Sequence, residues 1–228
     1  MRFLANVDGM RMPMRRTLLT ALTTEALTGY AAKIAAIAAD NVAYLAAQDK
    51  WELSFECRKW GMAFANTLLA GLDVKSEEEA ARLRADLGLF FDGLITFDID
   101  LPGTPLRKAM DARERLLARI RASVQGQLDE IVAEKEPAVP GVKPRKNMLG
   151  YIIDANRANG EEVNVEFMAG LALGVLQAGT DTSSAGFNGL MVMMGQMPEV
   201  MARVREEQRA VVAEHGPSIT KASLDASK

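Results

Sequence analysis

One stretch of the chain, from residue 165 to residue 197, is almost free of charge. It contains two charged residues, Glu166 near its start and Asp181 in its middle. Its alanine, leucine and methionine content favours a helix, which at 1.5 Å per residue would be about 50 Å long. A helix that is apolar on all sides belongs inside a protein. The sequence therefore predicts a long central buried helix over about residues 164–197.

Asp181 is the exceptional residue of this stretch, because burying a carboxylate is costly unless it is paired, hydrated or used. The neighbouring hydroxyls of Thr180, Thr182 and Ser184 compete for backbone carbonyls, and Gly179 removes a side chain beside them. The pattern predicts a buried, locally opened helix midpoint that offers a carboxylate and a hydroxyl to a neighbour. The alternative is a satisfied polar network between packed helices.

The rest of the chain also has helical periodicity. Apolar residues recur at three- and four-residue spacing near residues 13–22, 25–48, 51–72, 76–94, 104–135, 147–156 and 198–214. Aromatic residues make up only 6% of the chain, so strand formers are scarce. An all-α fold follows, with residues 1–228 as one domain. Residues 136–144 contain three prolines and are predicted to be a linker-like loop.

Composition excludes several classes of function. The formal net charge is -3 without a basic block, which argues against a nucleic-acid partner. The single cysteine, Cys57, cannot form an internal disulfide, and with one histidine, His215, a site of several Cys or His ligands is excluded. A transition metal would therefore have to arrive inside a cofactor. No targeting or membrane segment is apparent, since the uncharged run from Phe167 to Leu176 is about half of a membrane span.

The six residues at the centre of the long helix form a recognisable motif. Ala178-Gly179-Thr180-Asp181-Thr182-Ser183 matches [AG]-G-x-[DE]-T-[TS], the oxygen-binding motif of cytochrome P450 monooxygenases, at all five specified positions. The chain resembles this family from about Gly9 to its end. Other similar segments are Arg15-Arg16, Leu101-Pro102-Gly103-Thr104-Pro105, Asn147-Met148-Leu149 and Pro198-Glu199-Val200. Within the family it is similar to the branch of retinoic-acid and sterol hydroxylases.

The resemblance implies the helical lobe of the cytochrome P450 fold and a haem cofactor. Ala178 and Gly179 would be cofactor-binding residues, and Gly179 matches the glycine that leaves room for dioxygen. Thr182 and Asp181 would be the catalytic residues, because they match the threonine that hydrogen-bonds the dioxygen and the acid that helps relay protons. Arg16 matches the arginine that pairs with a haem propionate; its alternative is a solvated charge on a helix surface.

Two departures from the family pattern concern the haem. Four residues before Arg16 the family usually has histidine or tryptophan, and this chain has Met12, which cannot pair with a carboxylate. The loop Phe-x-x-Gly-x-Arg-x-Cys-x-Gly, which carries the iron's thiolate ligand, has no match here. Cys57 lies far upstream and is predicted to be a buried structural cysteine, and His215 a helix-end residue. No residue of the chain is therefore assigned to the metal.

We expect the parent enzyme to hydroxylate a lipophilic small molecule, using O2 and electrons from a reductase. The chain itself is expected to be truncated before the thiolate loop and inactive alone. The compartment would be the endoplasmic reticulum membrane for a eukaryotic parent with an upstream anchor, and the cytoplasm for a bacterial one. The alternative function is a non-catalytic, all-helical binding or structural protein.

Overall fold

The computed structural model describes residues 11–134 and 145–227. Within these ranges all the regular structure is helical, which confirms the predicted all-α class. The helices are α1 (Arg11–Thr20), α2 (Thr24–Ala46), α3 (Leu53–Phe64), α4 (Glu77–Leu94), α5 (Pro105–Ala133), α6 (Met148–Ala158), α7 (Val165–Gln196), α8 (Pro198–His215) and α9 (Lys221–Ala226). A π-helical segment, Ala65–Leu69, continues α3. The predicted loop at 136–144 lies outside the described residues.

Polar side chains fix where several helices begin. The Ser76 hydroxyl accepts a hydrogen bond from the backbone N–H of Glu79 at 3.2 Å, as a capping residue should. The Glu79 carboxylate in turn accepts from the N–H of Lys75 at 2.9 Å, one residue before the Ser76 N–H that a capping box would use. Thr104 and Asn147 cap α5 and α6 in the same way as Ser76.

The chain forms two compact units, and α7 contributes to both. Unit 1 consists of Met1–Ala26 and Ala65–Ala178, and unit 2 of Leu27–Phe64 and Gly179–Lys228. In unit 1 the helices α4 and α5 run antiparallel, since Arg115 pairs with Asp86 and Arg119 pairs with Glu79. The fully buried large side chains of this unit are Leu83, Leu116, Ile120, Val124, Met148, Leu149, Ile152, Ile153, Met168, Leu171 and Leu176. The assignment of the chain to one domain stays a prediction.

An ion-pair network joins the end of α5 to α6 within unit 1. The Arg145 guanidinium donates to the Glu134 carboxylate at 2.7 and 3.0 Å and to both oxygens of Asp154. The Arg145 and Asp154 side chains are 9% and 5% exposed. These hydrogen bonds hold the pKa of Arg145 above its usual range, although burial acts in the opposite direction.

Unit 2 contains α3, the second half of α7, and α8 with α9. Cys57 on α3 is buried, as predicted, with 3% of its surface exposed. The short helix α9 was not predicted, because residues 216–228 are polar and lack apolar periodicity. A capping box between Thr220 and Ser223 starts this helix. His215 is the last residue of α8, and Gly216 follows it with a φ of 81°, so the prediction of a helix end is confirmed.

Candidate active site

The motif of residues 178–183 forms one and a half turns at the middle of α7. The helix continues through it as regular α-helix from Val165 to Gln196. Thr180 is 6% exposed, while Asp181 and Thr182 are classed as exposed. Successive residues of an α-helix are about 100° apart, so Asp181 and Thr182 lie about 100° and 200° around the helix from Thr180. Thr182 therefore faces away from the side on which Thr180 is buried, and Asp181 lies beside that side.

Helix α3 covers the buried side of this turn. The Gly61 backbone lies against the Thr180 carbonyl and Ser184, so closely that an added Cβ would be 2.8 Å from the Thr180 oxygen. Ser184 is 4% exposed, and its hydroxyl donates to the Thr180 carbonyl at 2.6 Å. The rings of Phe64 and Phe187 also pack, with their centroids 5.9 Å apart. These contacts fix which side of α7 remains uncovered in unit 2.

The prediction of an opened helix midpoint is wrong for the described residues, and the midpoint is buried at Thr180 and Ser184 but not at Asp181. Asp181 is exposed because it lies outside the arc of α7 that α3 covers. The Ser184 hydroxyl does bond a backbone carbonyl four residues earlier, but the helix stays closed around it. The helical irregularity lies at Ala65–Leu69 instead, where the N–H of Ala70 donates to the Ala65 carbonyl at 3.0 Å.

The uncovered side of α7 near Thr182 carries only small side chains. Ala178, Thr182, Ala185, Gly186 and Gly189 are all exposed, and they recur at helical spacing on one side. An added Cβ at Gly186 or Gly189 would meet no atom within 4 Å. A flat group could therefore approach the helix backbone closely along this side.

Arg16 and the turn that carries Asp181 and Thr182 belong to different compact units. Arg16 lies in α1 and is exposed, and α1 belongs to unit 1, whereas Asp181 and Thr182 belong to unit 2. Its proposed pairing with a propionate and its alternative as a solvated charge both stay predictions. Ala178 is the last residue of unit 1, and Gly179, which is half-buried, begins the next segment of unit 2.

Gly61 and Ser184 were missed as functional candidates by sequence reasoning. Gly61 follows Trp60 within an apolar helical pattern, where a glycine weakens a helix by about 1 kcal/mol relative to alanine. That cost is the one signal that could have suggested a close approach of another backbone. Its partner could not be found in the sequence, because Gly61 and Thr180 are more than a hundred residues apart.

The chain is similar to known proteins over nearly all of its length. The family model of cytochrome P450 matches residues 2–225. The chain is 26% identical to a β-amyrin 28-monooxygenase of Vitis vinifera over 208 residues, covering 90% of this chain and 41% of the relative. It is 24% identical to a cholesterol 16,22-dihydroxylase of Trigonella foenum-graecum, covering 70% of this chain and 31% of the relative. It spans less than half the length of these curated relatives.

A solved structure has the same fold. The chain superimposes on the retinoic acid-bound cyanobacterial CYP120A1 with a TM-score of 0.75 at 21% identity, covering 95% of this chain and 45% of that one. The fold and the family match agree with the motif on α7. The chain therefore belongs to the cytochrome P450 family, as its sequence predicts.

Haem is the cofactor that this family implies, and the small-residue side of α7 fits one face of it. Gly186 and Gly189 leave their surroundings open, and Ala178 and Thr182 are exposed on the same side, so a planar ring could lie along it. Cys57 does not fit as the iron's ligand, because burial, followed by the nearby Glu56 charge, raises the pKa of its thiol and disfavours the thiolate. No group of three or more His, Cys, Asp or Glu suited to a metal occurs among residues 11–134 and 145–227.

Among the helices in the part of the chain that the structure covers, none combines the length and the apolar character needed to cross a bilayer.

Proposed function

We propose that the complete protein is a haem-thiolate monooxygenase that hydroxylates a lipophilic small molecule with O2 and reductase-supplied electrons. One observation carries the proposal: Asp181 and Thr182 are exposed on α7 beside a side that has only small residues. An acid and a hydroxyl placed next to an open helix surface can serve a planar cofactor bound there. Family membership supports the same reaction class.

The chain's own groups would handle protons rather than electrons. Bound haem would supply the oxidising chemistry that inserts one oxygen atom into a C–H bond. The exposed Asp181 carboxylate can accept hydrogen bonds from water, and the Thr182 hydroxyl can both accept and donate one. An acid in contact with solvent beside a hydroxyl would relay protons towards the haem side of α7. Ala178 and Gly179 would leave room for the ring and for dioxygen.

The proposed substrate is an apolar, polycyclic molecule of sterol or triterpene type. Two similar proteins bear the names β-amyrin 28-monooxygenase and cholesterol 16,22-dihydroxylase. Such substrates bury a large apolar surface on binding, so the cavity that holds them should be lined mainly by apolar side chains.

The proposal assigns no iron ligand to residues 1–228, which by themselves should not turn over substrate. The test is a carbon-monoxide difference spectrum of the reduced chain after loading with haem. We expect no band at the thiolate-ligated position, since the only cysteine is the buried Cys57. A clear thiolate band would show that Cys57 binds iron, and this part of the proposal would then be wrong.

The proton role is tested in the complete translation product of the gene, loaded with haem and supplied with a reductase. The variants are Asp181→Asn and Thr182→Ala, and the control is Glu166→Gln, the other charged residue of α7, whose side chain is 69% exposed. General acid–base groups contribute about 10²–10⁴-fold, so product formation should fall by about 10²-fold in both variants. The control should match the wild type.

Two results would contradict the proposal. Product formation that is equal in all four proteins would remove Asp181 and Thr182 from the reaction. A complete translation product that takes up neither haem nor a lipophilic compound would favour a non-catalytic helical protein instead.

A further inference from the structure

We propose that Gly61 is a positioning residue, which acts on Asp181 and Thr182 through the rotation of α7 about its own axis. The inference rests on the proposed function of these two side chains. Gly61 itself touches neither of them. It lies against Thr180 and Ser184 of the same helix turn, on the side opposite Thr182.

The contact at Gly61 differs from those of the other helical glycines. An added Cβ would lie 2.8 Å from the Thr180 carbonyl oxygen, 3.2 Å from the Ser184 nitrogen and closer still to the Ser184 hydroxyl. Two of these three atoms belong to the backbone of α7, so the clash cannot be relieved by turning a side chain. At Gly88, Gly126 and Gly170 an added Cβ would meet nothing within 4 Å.

The Ser184 hydroxyl cannot leave the contact freely. It donates to the Thr180 carbonyl at 2.6 Å in a region where both residues are more than nine-tenths buried. Turning it away would leave a buried donor without a partner, which costs free energy. The turn is thus held between a side-chain hydrogen bond and the backbone of α3.

Neighbouring contacts limit how α7 can respond to a larger residue at position 61. The hydroxyl of Ser54 donates to the amide oxygen of Asn188 at 3.5 Å, and Phe64 packs on Phe187. Because these contacts hold α7 beside α3, we expect the clash to rotate the turn rather than to separate the two helices. Moving the Thr180 oxygen from 2.8 Å to ordinary van der Waals contact needs a shift of about 0.6 Å, which at a helix radius of about 2.3 Å is a rotation of about 15°.

Such a rotation would move the tips of Asp181 and Thr182 by about 1 Å, since they lie further from the helix axis than the backbone. A misplacement of about 1 Å can cost about 10²-fold in rate, because proton transfer depends steeply on geometry. The glycine therefore matters for where the acid and the hydroxyl point, in addition to letting two helices approach.

The experiment compares Gly61→Ala with Gly88→Ala in the complete translation product. Gly88 lies within α4 with open space around it, so the same chemical change there introduces no contact. Two readouts are taken: the share of consumed electrons that appears in hydroxylated product rather than peroxide, and hydrogen–deuterium exchange of the haem-free protein along α7. Gly61→Ala should lower the product share by about 10-fold to 10²-fold and speed exchange at residues 180–188 but not at 165–176.

Ser184→Ala and the double variant Gly61→Ala/Ser184→Ala keep the test decisive if Gly61→Ala folds poorly. Ser184→Ala alone introduces no clash and should lower the product share in the same direction, but less. In the double variant the atom nearest to the new Cβ is gone, so part of the loss should be recovered. Gly88→Ala should match the wild type in both readouts.

The outcomes separate this inference from the proposed function. If Gly61→Ala lowers stability but leaves the product share unchanged, the glycine is only a packing residue and the inference is overturned. An exchange pattern along α7 that does not change in Gly61→Ala overturns it as well. If Asp181→Asn and Thr182→Ala have no effect on product while the exchange change at 180–188 is present, the proposed function fails and the helix contact stands.

Discussion

The two halves of α7 each carry a single charged residue but have very different surroundings. In the first half, Met168, Leu171 and Leu176 are at most 2% exposed. In the second half, Leu190 and Met193 are 55% and 57% exposed. Both halves contain large apolar side chains, and both are regular α-helix. Hydrophobicity predicts burial only when other elements are present to cover each side of the helix.

The same contrast holds for polar groups in the two units. In unit 1, Arg145 is enclosed by the carboxylates of Glu134 and Asp154. In unit 2, Asp181 is exposed on the side of α7 that α3 does not cover. Unit 1 thus has a covered core with paired charges, whereas the second half of α7 has an open surface. The predictions below test this difference, from the largest expected effect to the smallest.

The largest effect should come from removing a core side chain of the first half of α7. Leu176→Ala should lower the free energy of unfolding by about 2–5 kcal/mol, because it leaves a cavity in a fully buried position. Leu190→Ala makes the same chemical change on the same helix at an exposed position, and it should cost less than about 0.5 kcal/mol. Urea unfolding followed by circular dichroism measures both. Equal losses would show that the two halves are covered alike.

A smaller loss is expected from Asp154→Asn. The change removes one charge from the buried network but leaves Arg145 paired with Glu134, so we expect about 1–3 kcal/mol. Glu78→Gln is the matched control, because its ion pair with Arg82 is about three-quarters exposed on both sides. The control should stay within about 0.5 kcal/mol in urea unfolding. If Asp154→Asn lowers the free energy of unfolding no more than Glu78→Gln does, the buried network is no stronger than the surface ion pair.

A change on the open surface should alter association more than stability. Met193→Lys places a charge where the methionine is 57% exposed, so the free energy of unfolding should change by less than about 0.5 kcal/mol. Self-association at high protein concentration, measured by sedimentation, should decrease, since exposed apolar patches drive it. Gln196→Lys adds the same charge to α7 at an exposed polar residue and should have less effect. If both variants sediment like the wild type, this surface does not associate.

The smallest effect is a pH dependence at the start of α4. The N–H of Lys75 and the guanidinium of Arg119 hold the pKa of Glu79 below its ordinary value of 4.5. At pH values between the lowered pKa of the folded state and 4.5, the unfolded chain therefore binds more protons than the folded protein. The stabilisation by Glu79 is therefore complete above pH 4.5 and is lost as the pH falls through the lowered pKa.

Urea midpoints of the wild type and Glu79→Gln, compared from neutral to acid pH, measure this dependence. The difference between the two proteins should shrink below pH 4.5. Arg119→Gln should keep most of the pH dependence, because the backbone hydrogen bond from Lys75 is the largest cause of the shift. A difference that stays constant with pH would contradict the assigned cause.

Much of the fold follows from local sequence patterns. Periodicity at three- and four-residue spacing predicts seven of the described helices to within a few residues, and the uncharged, apolar composition of residues 165–197 predicts α7. Helix α9 depends on the hydrogen bonds between Thr220 and Ser223 rather than on periodicity, so it was missed. The π-helical segment after α3 was missed as well, since nothing in Ala65–Leu69 distinguishes it from an α-helix.

The candidate site, like the fold, could be predicted from the sequence only in part. The motif on α7 identified Asp181 and Thr182 from six consecutive residues. Their exposure, and the close contact of Gly61 with Thr180 and Ser184, could not be predicted. Periodicity shows that a helix has sides, but it cannot show which side meets a distant segment when all the sides are apolar.

The sequence by itself determined the helical class, the family and the residues that bear the proposed chemistry, because these depend on short patterns along the chain. Tertiary structure alone decided which side of α7 is covered. Gly61, far away in sequence, lets α3 approach the Thr180 turn, and the acid and the hydroxyl remain on the open side. The physical reason is that burial depends on contacts between segments that are distant in sequence, and an apolar, nearly uncharged helix contains no local signal that selects them.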